Sequence, residues 1–120
     1  MLEVNLGFNP IRMIAYTRNE VELKVNIKNL DSQPYWIEVE VTVPTDFLSL
    51  HPTSHLKTGR VRGGIIFGNE EKTVRCKIYA NSVVHPDIYK IDVVVYAYDR
   101  SGTISARNEK VAELRCDRIR

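Results

Sequence analysis

Apolar and polar residues alternate along most of this 120-residue chain with a period of two. Successive side chains on a strand point to opposite faces, so each such run predicts a strand with one buried face. The run PDIYKIDVVVYAY, residues 86–98, is the strongest. Tyr89, Ile91, Val93, Val95 and Ala97 form one apolar face, and Lys90, Asp92, Val94, Tyr96 and Tyr98 form the other. A second face that begins charged and turns aromatic suits a central strand. Pro86 lacks the N–H a ladder needs, so the strand begins after it.

The other elements follow in order. Residues 2–6 alternate, Gly7 and Asn9-Pro10 interrupt, and Ile11, Met13 and Ala15 resume, which predicts a first strand split by a kink at 7–10. Residues 20–29 place Val21, Leu23, Val25 and Ile27 on one face against Glu22, Lys24, Asn26 and Lys28, a half-buried strand. A turn over 29–34 is built from residues that favour turns. Residues 35–43 then put Tyr35, Ile37, Val39, Val41 and Val43 in one phase and Trp36, Glu38, Glu40 and Thr42 in the other, with β-branched content that disfavours a helix.

Residues 44–71 are the least regular. Phe47, Leu48 and Leu50 predict one short strand, Val61 with Ile65-Ile66-Phe67 another after Gly63-Gly64, and 51–60 an exposed loop. Alternation returns over 71–80, with Val74, Cys76 and Ile78 inward. Asp99-Arg100-Ser101-Gly102 is a hairpin signal, and 103–117 form the last strand, with a bulge or break expected at Asn108-Glu109-Lys110. Several short strands without a helical period predict an all-β sandwich, residues 1–120 as one domain, with its core in the phases of Val21, Ile37, Val74, Ile91 and Leu114.

Composition changes this picture little. The chain is 43% apolar and 27% charged with net charge +2, ordinary for a globular domain and too weak a field to imply nucleic acid or a membrane surface. No apolar run approaches the roughly 20 residues of a membrane helix, so no membrane insertion is expected. A native start at Met1 implies a cytoplasmic protein, and an excised module an extracytoplasmic one. The two cysteines, Cys76 and Cys116, lack the local spacing of a zinc site. They are expected as small buried thiols that stay reduced, because their strands fall in different sheets.

Five pieces carry a resemblance: Val25-Asn26-Ile27-Lys28-Asn29, Val41-Thr42-Val43-Pro44, Asp46-Phe47-Leu48-Ser49-Leu50, Gly68-Asn69-Glu70-Glu71 and Pro86-Asp87-Ile88-Tyr89. Their order is similar to that of the immunoglobulin-like modules of prokaryotes known as alpha-galactosidase-associated and CARDB-type domains. The resemblance implies an immunoglobulin-like antiparallel β-sandwich of about seven to eight strands, and a tyrosine corner at Tyr89. Asp87-Ile88 stands where such modules often have Pro-Gly. The antibody hallmarks are missing, since residues 20–29 and 35–43 hold no cysteine and Trp36 lies in the outward phase.

Candidate chemistry is sparse. His51 and His55 sit in a loop, where solvated imidazoles are the expectation rather than a metal site, and His85 has no ligating neighbour. Glu38 and Glu40 share a face but lack the burial that tunes an acid/base pair. Asp87 and Asp92 are no better placed, and no nucleophile motif or phosphate loop is present. The chain therefore reads as non-enzymatic, with no cofactor and no metal. Lys57, Arg60 and Arg62, and Arg115, Arg118 and Arg120, form basic groups that would serve a single-stranded nucleic acid, yet nearby acids make a solvated rim the better reading.

One surface remains. In the implied sandwich the strands of Trp36 and Tyr98 pair antiparallel, which places Trp36, Val94, Tyr96 and Tyr98 together on an outer face bordered by Glu38, Glu40 and Lys90. Exposed aromatic clusters have partners, so these four residues are the expected partner-binding site unless a loop or the N-terminal strand covers them. The partner it admits is another protein, a second copy in a homodimer, or a carbohydrate.

Overall fold

The computed structural model describes residues 1–118, and those residues form nine strands and no helix. In chain order they are β1 (Leu2–Asn9), β2 (Arg12–Ile14), β3 (Asn19–Asn29), β4 (Tyr35–Thr42), β5 (Leu48–Ser49), β6 (Thr58–Ile66), β7 (Glu71–Ala80), β8 (Asp87–Tyr98) and β9 (Ile104–Asp117). One sheet runs β1-β3-β7-β5 and the other β2-β9-β8-β4-β6. All pairings are antiparallel except β2 with β9. This is an immunoglobulin-like β-sandwich with β8 at the centre of its five-stranded sheet.

The alternating residues make the core. Val21, Leu23, Val25 and Ile27 of β3 pack in one cluster with Ile37, Val39 and Val41 of β4 and Ile91, Val93 and Val95 of β8, all buried. Each such side chain contributes roughly 1.5–3 kcal/mol when removed from water. No helix of the described residues is long and apolar enough to cross a membrane. Cys76 on β7 and Cys116 on β9 lie in different sheets, and both thiols are free. Burial pushes both thiols above their ordinary range.

Four details depart from the sequence reading. The strand count rises to nine through β2 and β5, only three and two residues long. The kink at Gly7–Pro10 carries the chain from one sheet to the other: Met13 and Ala15 are buried, but Ile11 is 81% exposed. The strand expected after the 51–60 loop starts earlier, at Thr58, and β6 runs unbroken through Gly63-Gly64 to Ile66. A bulge opposite Ile37 and Glu38 absorbs the extra residue, and Gly64 takes φ +77°, which a side chain would resist. Finally, β9 is unbroken at Asn108-Glu109-Lys110, and the irregularity falls where Tyr98 pairs Ile104. Asn108 and Lys110 are polar because they line the open cleft beside β1, where Asn108 Nδ2 donates to the Leu2 carbonyl at 3.4 Å.

Two polar anchors hold the ends. Asn29 is fully buried; its Nδ2 donates to the carbonyls of Gln33 (2.7 Å), Phe67 (3.1 Å) and Ile66 (3.4 Å), and its Oδ1 accepts from Asp31 N–H (2.9 Å). At the other end, Tyr89 donates its hydroxyl to the His85 carbonyl at 2.7 Å, the contact of a tyrosine corner. Burial raises its phenol above the usual range. Tyr89→Phe removes this bond alone and is expected to cost about 1 kcal/mol, read as a lower urea midpoint at unchanged slope.

Candidate interaction face

Register decides which side chains share the outer face of the five-stranded sheet. β4 pairs β8 with Trp36 opposite Tyr98, Glu38 opposite Tyr96 and Glu40 opposite Val94. β6 adds Ile65 beside Trp36, Arg62 beside Glu38 and Arg60 beside Glu40. β9 adds Ile104 beside Tyr98, Arg107 beside Tyr96 and Glu109 beside Val94. Paired residues point to the same side. The face is therefore a set of rows running across four strands, and the rows differ sharply in chemistry.

The row at the end of the sheet, Ile65–Trp36–Tyr98–Ile104, is apolar. Trp36 is 54% exposed and Ile104 52%, and Phe67, just past β6, is 57% exposed. The Trp36 ring stands between two grooves. One, of about 140 Å³, is lined by Pro34, Tyr35, Ile65, Phe67 and Arg100 as well as Trp36. The other, of about 260 Å³, shares Trp36 with Ile37, Glu38, Arg62, Gly64 and Tyr98.

The next two rows are a charge network laid over an aromatic ring. Arg60 donates to Glu40 Oε2 at 3.0 Å and Glu38 Oε1 at 3.1 Å, and Tyr98 donates its hydroxyl to Glu38 Oε1 at 3.1 Å. The Arg60 guanidinium lies 4.8 Å from the Tyr96 ring centre and that of Arg107 5.8 Å, while Arg107 also meets Glu109 at 2.7 Å. The Tyr96 and Tyr98 rings stack at 6.4 Å. The bond to Glu40, reinforced by Glu38, holds Arg60 above its ordinary pKa. Desolvation, then the bond to Glu38, raises the Tyr98 phenol.

The four residues read from the sequence thus share one face, but not as one exposed patch. Trp36 is open and Tyr98 and Val94 are half-buried, whereas Tyr96 keeps only 9% exposure beneath its two arginines. Among the described residues neither a loop nor the N-terminal strand, which lies in the other sheet, covers Trp36. The apolar surface extends sideways instead, through Ile65, Phe67 and Ile104, which sequence reasoning missed. Only register shows that they share this face, since Ile65 and Phe67 lie in a run with buried Ile66 and Ile104 is an isolated apolar residue after a turn.

Several other candidates are engaged by partners. Glu38 and Glu40 are both engaged by Arg60, so neither is a free carboxylate. Of the basic groups, Lys57 pairs with Asp46 at 2.6 Å, Arg60 with the two glutamates, and Arg115 with Asp117 at 3.0 Å. Arg118 lies over the Tyr16 ring at 5.6 Å, and Arg120 lies outside the described residues. Among the described residues no group of three or more His, Cys, Asp or Glu is placed to hold a metal ion.

The sequence matches no family model and no curated relative. Solved structures do resemble the fold. The native conformation of E. coli alpha-2-macroglobulin superposes with a TM-score of 0.62 and 13% identity over 98% of this chain. Pseudomonas fluorescens alkylpurine DNA glycosylase AlkC, bound to DNA containing an abasic site analog, gives 0.53 and 14% over 95%. The cupredoxin domain of amoB from Nitrosocaldus yellowstonii gives 0.51 and 8% over 97%, and covers 86% of that domain. This chain spans 7% of the macroglobulin and 30% of the glycosylase. At such identities the likeness is one of fold: the chain is a β-sandwich of the immunoglobulin-like and cupredoxin-like kind.

Proposed function

We propose that this chain is a non-enzymatic interaction module that pairs with a second copy of itself through the apolar row at the Trp36 end of its five-stranded sheet. The observation that carries the reading is the row itself: Ile65, Trp36, Tyr98 and Ile104 lie side by side on four strands, with Phe67 at the margin. Aromatic rings bury on the order of 150–250 Å² each, so Trp36, Tyr98 and Phe67 with two isoleucines supply the centre of an interface of about 800 Å² per partner. Arg62, Glu38, Arg60 and Arg107 border the row with both signs of charge, which suits the polar rim of an isologous contact. The finer kinship we propose is with the alpha-galactosidase-associated and CARDB-type modules. Its support is that their five sequence pieces fall on the end of β3, the end of β4, β5, the β6–β7 turn and the start of β8.

Sedimentation tests the pairing. The wild type is expected to run as a dimer and the Trp36→Ala, Tyr98→Ala double variant as a folded monomer. A wild type that stays monomeric at tens of micromolar, or a variant of unchanged mass, overturns the reading. The two grooves flanking Trp36, one lined by Glu38, Arg62 and Tyr98 and the other by Arg100, favour one alternative, a carbohydrate ligand stacked on the indole. That alternative requires soluble glycans to quench Trp36 fluorescence.

A further inference from the structure

At the opposite end of the sandwich four loops converge around a pocket of about 340 Å³: β2–β3, β4–β5, β5–β6 and β7–β8. A pocket of this size suits a small ligand. From its geometry we infer that this pocket binds a small organic oxyanion, a carboxylate or phosphate monoester carried on an apolar body.

The charge of the lining sets the sign of the guest. Arg18, His51 and His55 contribute the cationic or donor groups, and Arg18 forms no ion pair among the described residues. The one carboxylate in the lining, Asp46, is already held by Lys57 at 2.6 Å. His51 Nδ1 accepts from the Thr53 N–H at 3.2 Å, which leaves Nε2 as the ring nitrogen able to donate to a guest. Phe47, Pro52, Tyr79 and Val83 supply the apolar wall that a bare inorganic ion would leave unused.

The loops are also held in place before any guest arrives. Ser49 Oγ accepts from the backbone N–H of His51 (3.1 Å) and Leu56 (3.0 Å) and donates to the Ser54 carbonyl (2.6 Å). Asn81 Nδ2 donates to the Asp46 carbonyl at 3.3 Å, and its Oδ1 accepts from Val83 N–H at 3.0 Å, tying the β7–β8 loop to the β4–β5 loop. A site ordered in advance binds without the cost of immobilising its own chain.

The test is a heteronuclear NMR titration of the intact protein with four probes: phenyl phosphate, benzoate, inorganic phosphate and benzyl alcohol. Phenyl phosphate and benzoate are expected to shift the resonances of Arg18, His51 and Val83 saturably, and whichever binds tighter identifies the preferred anion. Inorganic phosphate and benzyl alcohol should each bind at least about tenfold more weakly, the one lacking the body and the other the charge. Arg18→Gln should weaken phenyl phosphate by about tenfold or more without moving the spectrum elsewhere. Benzyl alcohol binding as tightly as benzoate, an Arg18→Gln protein binding like wild type, or no saturable shift in the millimolar range overturns the inference.

Discussion

Asn29→Asp is expected to lower unfolding stability by about 3 kcal/mol, roughly a 12 °C fall in melting temperature for a chain of this size. The substitution is isosteric, so packing is preserved and only the hydrogen-bond chemistry changes. The amide donates to three carbonyl oxygens, those of Gln33, Ile66 and Phe67. A carboxylate cannot donate and would face three acceptors while fully buried. Its folded-state pKa is therefore raised above the unfolded value of about 3.9. A raised carboxyl pKa makes stability fall as pH rises through that window, so the deficit relative to wild type should shrink as pH drops toward 4. Thermal melts of both proteins at pH 7 and pH 4 check this; a deficit below 1 kcal/mol, or one that grows on acidification, contradicts the account. The consequence reaches the interaction face, because Asn29 pins the turn that presents Phe67 beside the Trp36 row.

Ile91→Ala is expected to cost about 3–4 kcal/mol, while Trp36→Ala should stay within about 0.5 kcal/mol of wild type. Both positions lie in the five-stranded sheet, and tryptophan is the larger side chain. The difference comes from which side of the sheet each one faces. Ile91 is wholly enclosed, so truncation leaves a cavity between the two sheets as well as losing transfer free energy. Trp36 stands in solvent between its two grooves, and its removal from the monomer opens no void. Urea denaturation below the concentration of self-association measures both. A large loss for Trp36→Ala would mean that the row belongs to the fold rather than to a partner surface.

Period-two alternation alone was enough to assign the faces of β3, β4, β7 and β8, because the two faces of a strand are set by residue parity and need no knowledge of neighbours. The tyrosine corner at Tyr89 was likewise implied by the resemblance that Pro86-Asp87-Ile88-Tyr89 carries, since it is a local device. What parity cannot encode is lateral position. The burial of Tyr96 depends on Arg60 and Arg107 arriving from β6 and β9, and the registers of those strands are reset by bulges opposite Ile37 and near Ile104. The same shifts brought Ile65 and Ile104 level with Trp36 and Tyr98. The crossing of the chain from β1 to β2, and the placing of Arg18 and His51, 33 positions apart, around one pocket, are likewise long-range events. They are decided by how two sheets close over a shared core, a free energy that no local pattern carries.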